Sequence, residues 1–211
     1  MAAKGNVKVE ATENSATSLP TATDVRPADG ITPTVENVVA TGYFSGKVNL
    51  AEVQKKTRNI EYNPRRFAAC VIRNKLPHST GLLFSSGKLV IMGCKSEEQA
   101  EQAWSKFQDI VIKRCNIAVT PTGFKIHNVV GKVDVGFKID LHKLHMEHSK
   151  FVTYDPETFP GLTYRMQDPS VVLLVFHSGK VVLTKAKTRL EMIEGLRRIL
   201  PTLKENRSSV A

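Results

Sequence analysis

Two stretches decide how this chain is read: "LLFSSGKLVIMGCK" at 82–95 and "LLVFHSGKVVLTKAK" at 173–187 carry Phe, Ser-Gly-Lys and a second apolar run in the same order. Working outward, "ENVVA" at 36–40 answers "HNVVG" at 127–131 at an offset of 91, and "EYNPRRF" at 61–67 answers "TYDPETF" at 153–159 at an offset of 92. Aligning 61–96 with 153–188 gives 12 identities in 36 positions. That density establishes an internal repeat, which governs the fold before any single element does. The chain divides into a first repeat at 31–118 and a second at 119–208, with an N-terminal arm at 1–30 and a tail at 209–211.

Each half has the same order of elements. "TVENVVATGYF" reads as a strand and "NLAEVQKKT" as a short helix capped by Asn49, followed by strand-like runs at 59–62, 68–75, 80–84 and 88–94. A long helix over 96–115 closes the first half: Ser96 can cap it, Glu97 and Glu98 suit its positive N-terminal end, and Ala100, Ala103, Trp104, Phe107, Ile110 and Val111 form one stripe. Leu190, Ile193, Leu196, Ile199 and Leu200 repeat that spacing at the end of the second half. An antiparallel sheet backed by helices, class α+β, is the expected architecture.

With 41% hydrophobic residues in 211, the chain can bury a domain core. Its charge is unevenly placed. The arm holds Lys4, Lys8 and Arg26 against Glu10, Glu13, Asp24 and Asp29, a net of −1, so the total of +10 leaves +11 on the rest. An excess of that size on a compact body points to a polyanion. The arm has no aromatic residue and reads as flexible. Cys70, Cys94 and Cys115 form no CxxC pair, and no apolar run reaches the ~18 residues of a membrane span. "SSGK" lacks the spacing of a phosphate-binding loop, and no nucleophile, base or carboxylate-pair motif suggests an enzyme or a cofactor. "HKLHMEH" spaces His142, His145 and His148 by three, which drifts around a helix rather than converging on a metal.

Strand alternation places Leu83, Leu89 and Ile91 on one face, and Leu82, Phe84, Val90 and Met92 on the other. Both faces are apolar. Helices can cover only one, so the other is a second core or an exposed binding surface, prone to weak self-association. Asn37 and Asn128 stand at equivalent places in apolar strands, where an unpaired amide in a dry core would cost about 1–3 kcal/mol. An apolar floor, paired amides and a cationic border suit the minor groove of DNA, whose floor offers acceptors.

At this point the segments "NIEYNPRRFAA", "LLFSSGKLVIMGCKSEEQA", "HNVVGKVDV", "YDPETFPGLTYRM" and "VVLLVFHSGKVVLTKAK" resemble, in order, the conserved core of the eukaryotic TATA-box-binding family, over about Gly30 to Arg207. The resemblance implies a saddle: a curved ten-stranded antiparallel sheet whose concave face presses into the minor groove, with four helices on the convex side. It implies a general transcription factor of the nucleus that binds and bends A·T-rich promoter DNA and meets transcription factors IIA and IIB and TATA-binding-protein-associated factors. Phe67, Phe84, Phe159 and Phe176 match the family's wedges between base steps. Asn37 and Asn128 match its central amides, and Val39, Leu82, Val90, Val130, Leu174 and Val182 its apolar floor. Arg73, Lys88, Lys95, Arg165, Lys180 and Lys187 fall where the family meets phosphates.

Several positions depart from the family. Met92 replaces a threonine whose hydroxyl would pair with Thr184 at the centre. Lys185 replaces a glycine that the first half keeps as Gly93. Glu101, Ser105 and Asp109 make the helix 96–115 less basic than the surface that meets regulators and transcription factor IIA. Thr158 replaces a leucine in the loop expected to meet transcription factor IIB, beside the retained acids Asp155 and Glu157. A related protein acting mainly as an interaction scaffold with weakened DNA specificity is the alternative; the four Phe and the cationic rim speak against it.

Overall fold

The structure, a computed structural model, describes residues 30–208. The arm and tail expected at 1–30 and 209–211 lie outside the described residues, apart from Gly30. The first half runs β1 (Thr34–Phe44), α1 (Leu50–Lys56), β2 (Ile60–Glu61), β3 (Ala69–Asn74), β4 (Ser79–Phe84), β5 (Lys88–Cys94) and α2 (Glu97–Gln108). The second repeats the order as β6 (Pro121–Asp134), α3 (Leu141–Glu147), β7 (Val152–Thr153), β8 (Leu162–Arg165), β9 (Val172–Val175), β10 (Lys180–Ala186) and α4 (Arg189–Glu205).

All ten strands join one antiparallel sheet in the order β2-β3-β4-β5-β1-β6-β10-β9-β8-β7. The two halves are therefore fused through β1 and β6, which run antiparallel at the centre. The two edge strands have only two residues each, which limits edge-to-edge pairing. Four side-chain caps start the helices at equivalent places. Asn49, Ser96, Asp140 and Thr188 each accept from a backbone N–H three residues on.

The core lies between the sheet and the helices. Leu83, Leu89, Ile91, Leu173, Val175, Val181 and Leu183 are fully buried beneath Phe107, Met192 and Leu196, whereas Leu82, Val90, Leu174 and Val182 on the opposite face are only partly covered. Alternation thus sorts the two apolar faces into a core and an open surface, and no second layer covers the latter among the described residues. The glycine of each Ser-Gly-Lys turn explains why that tripeptide recurs. Gly87 and Gly179 have φ of +86° and +88°, and a Cβ there would strike the carbonyl oxygen of Phe44 or Phe137.

The closing helix of the first half departs from the continuous α-helix expected over 96–115. From Asp109 to Arg114 it widens to π-type turns, in which the Cys115 amide donates to the Ile110 carbonyl at 2.9 Å. Ile110, Val111 and Cys115 stay buried against the core through this widened turn.

β5 and β10 each carry a bulge where they meet the central strands. The register jumps between Val38 and Ala40 of β1, and between Leu183 and Ala186 of β10. Both bulges need a left-handed residue, supplied by Gly93 at φ +92° but by Lys185 at φ +66°. A side chain there costs about 1–2 kcal/mol, partly offset by the larger unfolded-state entropy of glycine. Lys185→Gly is therefore expected to stabilise the protein by about 0.5–1 kcal/mol and raise its melting temperature by about 1–4 °C. A thermal unfolding curve that is unchanged or lowered would show that the bulge is not strained.

Candidate nucleic-acid interface

Two loops raise phenylalanines at opposite ends of the open face. In the first, the Asn63 carboxamide oxygen accepts from the Arg65 amide at 3.2 Å, and the Phe67 amide donates to the Asn63 carbonyl at 3.0 Å. In the second, Asp155 accepts from the Glu157 amide at 3.2 Å and from the Thr158 hydroxyl at 2.7 Å, and the Phe159 amide donates to the Asp155 carbonyl at 2.9 Å. The Thr158 hydroxyl, followed by the two backbone amides, holds the Asp155 carboxyl below the usual range. Asp155 and Thr158 thus build the loop that carries Phe159, while Glu157 remains exposed.

These loops leave Phe67 at 46% and Phe159 at 40% exposure, unusually high for so large an apolar ring. Each leans edge-on against a partner from the sheet. Phe67 and Phe84 have centroids 6.3 Å apart at 67°, and Phe159 and Phe176 have centroids 5.8 Å apart, also at 67°. The fold therefore assembles the four phenylalanines singled out in the sequence into two pseudo-equivalent pairs.

Between the pairs runs an apolar floor. Leu82 and Val90 are cross-strand neighbours, as are Leu174 and Val182. At the centre the β1–β6 register puts Asn37 opposite Val130 and Val39 opposite Asn128. Each asparagine plugs the bulge beside it: the Gly93 amide donates to Asn37 Oδ1 and the Lys185 amide to Asn128 Oδ1, both at 2.7 Å. A backbone N–H can only donate, so these bonds fix the oxygen side of each amide and leave Nδ2 as the outward donor.

The two amides are not equivalent beyond this point. Asn128 Nδ2 lies 3.2 Å from the Thr184 hydroxyl, whereas Asn37 Nδ2 has no partner among the described residues, since Met92 offers no oxygen. The expected pairing of Thr184 with a residue at position 92 is corrected here. β5 and β10 are separated by β1 and β6, three strand spacings or about 14 Å, and Thr184 bonds the amide of its own half instead.

Cations border the floor, but not all stand alone. Arg73 bonds Glu61 at 2.6 Å, and Lys95 bonds Glu36 at 3.0 Å. Glu36 also meets Lys132 at 2.9 Å, and Lys132 and then Lys95 hold its carboxyl below the usual range. Both Arg73 and Lys95 are more than half exposed, so these pairs are weak and exchangeable. Lys88, Arg165, Lys180 and Lys187 have no ion-pair partner among the described residues.

Reasoning from sequence passed over Glu36, Lys132, Thr41 and His127. The Thr41 hydroxyl lies 2.7 Å from His127 Nε2 on the open face, and Thr41 is only 7% exposed. A signal was present, because Glu36 and His127 stand 91 residues apart at the repeat offset, as do Thr41 and Lys132.

On the helix side, Glu101 and Ser105 are exposed on α2 and Asp109 pairs with Lys113 at 2.8 Å. His142 and His145 lie against the Tyr154 ring, with centroids 5.2 and 6.4 Å away, and His148 Nδ1 is 3.4 Å from the Tyr164 hydroxyl. These histidines are packing partners of two tyrosines. The three thiols are buried and free, and burial pushes Cys70 up to about 11.

The family described as transcription factor TFIID (or TATA-binding protein, TBP) matches residues 32–114 and 123–206. The chain is 46% identical over 184 residues to the TATA-box-binding protein of Saccharomyces cerevisiae, covering 87% of this chain and 76% of that one. With the TATA-box-binding protein of Schizosaccharomyces pombe the identity is 47% over 178 residues, covering 84% and 77%. The solved structure of Methanococcus jannaschii TBP superposes with a TM-score of 0.71 at 38% identity, over 82% of this chain and 99% of that one. The two-repeat saddle, and the sequence match through both of its halves, place this chain in the TATA-binding protein family.

Proposed function

We propose that this chain is a general transcription factor of the nucleus that binds TATA-like promoter DNA in the minor groove, bends it by phenylalanine wedging, and nucleates assembly of the initiation complex. The observation that carries the reading is the pair of exposed edge-to-face phenylalanine couples at the two ends of an uncovered apolar face. Such rings can replace lost base stacking where a duplex is opened toward the protein; this minor-groove family is itself an established example of that scheme. Val39, Leu82, Val90, Val130, Leu174 and Val182 would exclude the exocyclic amine of guanine by contact. Asn37 and Asn128 would donate through Nδ2 to the acceptors of A·T pairs. Lys88, Lys180, Arg165 and Lys187 are the first candidates for phosphate contacts, with Arg73 and Lys95 joining once they leave their carboxylates.

The units 31–118 and 119–208 would each serve one half of the site. Transcription factors IIA and IIB and TATA-binding-protein-associated factors are the partners proposed for the outer surfaces, with α2 and the exposed Glu157 and Thr158 as the places to test. Selection of bound duplexes from a random pool tests the DNA reading: enrichment of A·T-rich sites supports it, and an unenriched pool overturns it.

Met92 makes the two halves unequal at the centre. Thr184 accepts from Asn128 Nδ2 at 3.2 Å and donates to Asn128 Oδ1 only over a long 3.4 Å, a bond it can exchange for one to a base acceptor, while Met92 offers no donor. A hydrogen bond of about 0.5–1.5 kcal/mol corresponds to about twofold to tenfold in discrimination. Binding to duplexes varied only at the two central steps is expected to discriminate more weakly on the Met92 side, and Met92→Thr is expected to restore balance. Equal discrimination at both steps in the unmodified protein would count against this assignment.

A further inference from the structure

The repeat offset relates Glu36 to His127 and Thr41 to Lys132, so Glu36–Lys132 and His127–Thr41 are the same contact made twice with different chemistry. In the first half a carboxylate bridges two lysines, Lys95 and Lys132. In the second half an exposed imidazole leans on a threonine hydroxyl, and no carboxylate bonds it among the described residues.

The imidazole reaches the open face. Thr41 lies between Ala40, which is buried under the helices, and Gly42, whose Cβ position would meet the Trp104 ring; Thr41 therefore points the other way, beside Val90 of β5. His127 is the extra residue of a break in the β1–β6 register, where Val39 pairs with Asn128 and Ala40 with Ile126. The bulge carries its ring out next to the amide of Asn128.

We propose that His127 is a further DNA contact, engaging a phosphate as imidazolium, so that binding takes up a proton in the second half while Glu36 holds the equivalent place in the first half closed. This rests on the minor-groove reading above. With Nε2 committed to Thr41, only Nδ1 is left to face the duplex. A phosphate offers acceptors alone, so Nδ1 must carry a proton. In the neutral ring that requires the Thr41 hydroxyl to donate to Nε2; in the imidazolium both nitrogens donate, Thr41 accepts, and the bond to phosphate becomes charge-assisted.

The ionisable groups around it are Tyr43 and Glu36 on β1, Lys88 on β5, Lys125 and Lys132 on β6, and Lys187 just beyond β10. All but Glu36 are cationic or neutral, and Glu36 is committed to Lys95 and Lys132. A phosphate docked against Nδ1 favours the protonated ring. By linkage the gain is full at low pH and lost as pH rises through the imidazole range.

The test uses the full chain and an A·T-rich duplex containing a TATA element. Binding of the unmodified protein should weaken by about threefold to tenfold from pH 6 to pH 8. Calorimetry in two buffers of different ionisation enthalpy should read uptake of up to about one proton. His127→Gln should flatten the pH profile and abolish that uptake while still binding DNA at pH 8. Glu36→Gln should tighten binding and steepen the salt dependence by about one to two units, as Lys132 and, where it was still paired, Lys95 become available. If His127→Gln keeps the unmodified pH profile and proton uptake, the role given to His127 is wrong although DNA binding stands. If the unmodified protein fails to bind the duplex at any pH in low salt, the minor-groove reading falls and this inference with it.

Discussion

Phe84→Ala combined with Phe176→Ala is expected to abolish most of the DNA bend and weaken binding to a TATA element by about thirtyfold or more, with the fold retained. Base–aromatic stacking is worth about 1–3 kcal/mol per base, so two rings account for a loss of about 30-fold to 10⁴-fold in affinity. The cost to the free protein is smaller, since each ring lies half-covered on the open face and gives up mainly one edge-to-face contact, to Phe67 or Phe159. Such a contact is worth about 0.5–1.5 kcal/mol beyond the area buried. Fluorescence transfer between the two ends of a bound duplex measures the bend, and far-ultraviolet circular dichroism checks the fold. An unmodified bend in the folded double variant would remove the wedge role from these two residues.

The second large effect is the dependence on salt. Six cationic positions that each neutralise one phosphate would release about 0.9 counterion apiece, so log K should fall against log salt with a slope of about −5. Between 50 and 200 mM that amounts to a loss of about 10³ in affinity. The structure sharpens this expectation. Arg73 and Lys95 are bonded to Glu61 and Glu36, and if those pairs survive in the complex only four contacts remain and the slope is nearer −4. Lys180→Ala is expected to reduce the slope by about one unit whichever applies, because no carboxylate bonds Lys180 in the free protein. A slope near zero, or one that Lys180→Ala does not alter, would exclude the proposed phosphate rim.

The repeat made much of the interface legible. Phe67 and Phe159 sit in register because their loops are built alike, from Asn63 in one half and Asp155 in the other, and an Asx side chain that bonds the backbone two residues on is a local device. The caps at Asn49 and Ser96, the two-residue alternation in β4 and β5, and the glycine of Ser-Gly-Lys are equally local, and each held in the structure. The π-type end of the first closing helix could not be read this way, because Ile110 and Val111 continue the ordinary α-helical stripe and leave no local mark of the widened turn.

The charges of the rim show the other limit. Sequence implied Arg73 and Lys95 as cations bordering the open face but could not show that Glu61 and Glu36 would reach them, since such pairs form between strands whose register is unknown until the sheet is assembled. Likewise the Thr41–His127 bond spans 86 residues, and only the pairing of β1 with β6 brings it about. By itself the sequence determined two copies of one strand-and-helix unit, the residues that turn to each face, and a cationic body with four matched phenylalanines; these follow from short-range periodicity, capping and turn chemistry. Only the tertiary structure decided that the copies merge into one sheet and that each asparagine locks its oxygen on a bulge. It also set Met92 and Thr184 three strands apart and made Glu36 and His127 unlike partners across a pseudo-dyad, because those relations depend on long-range strand register, which no local pattern encodes.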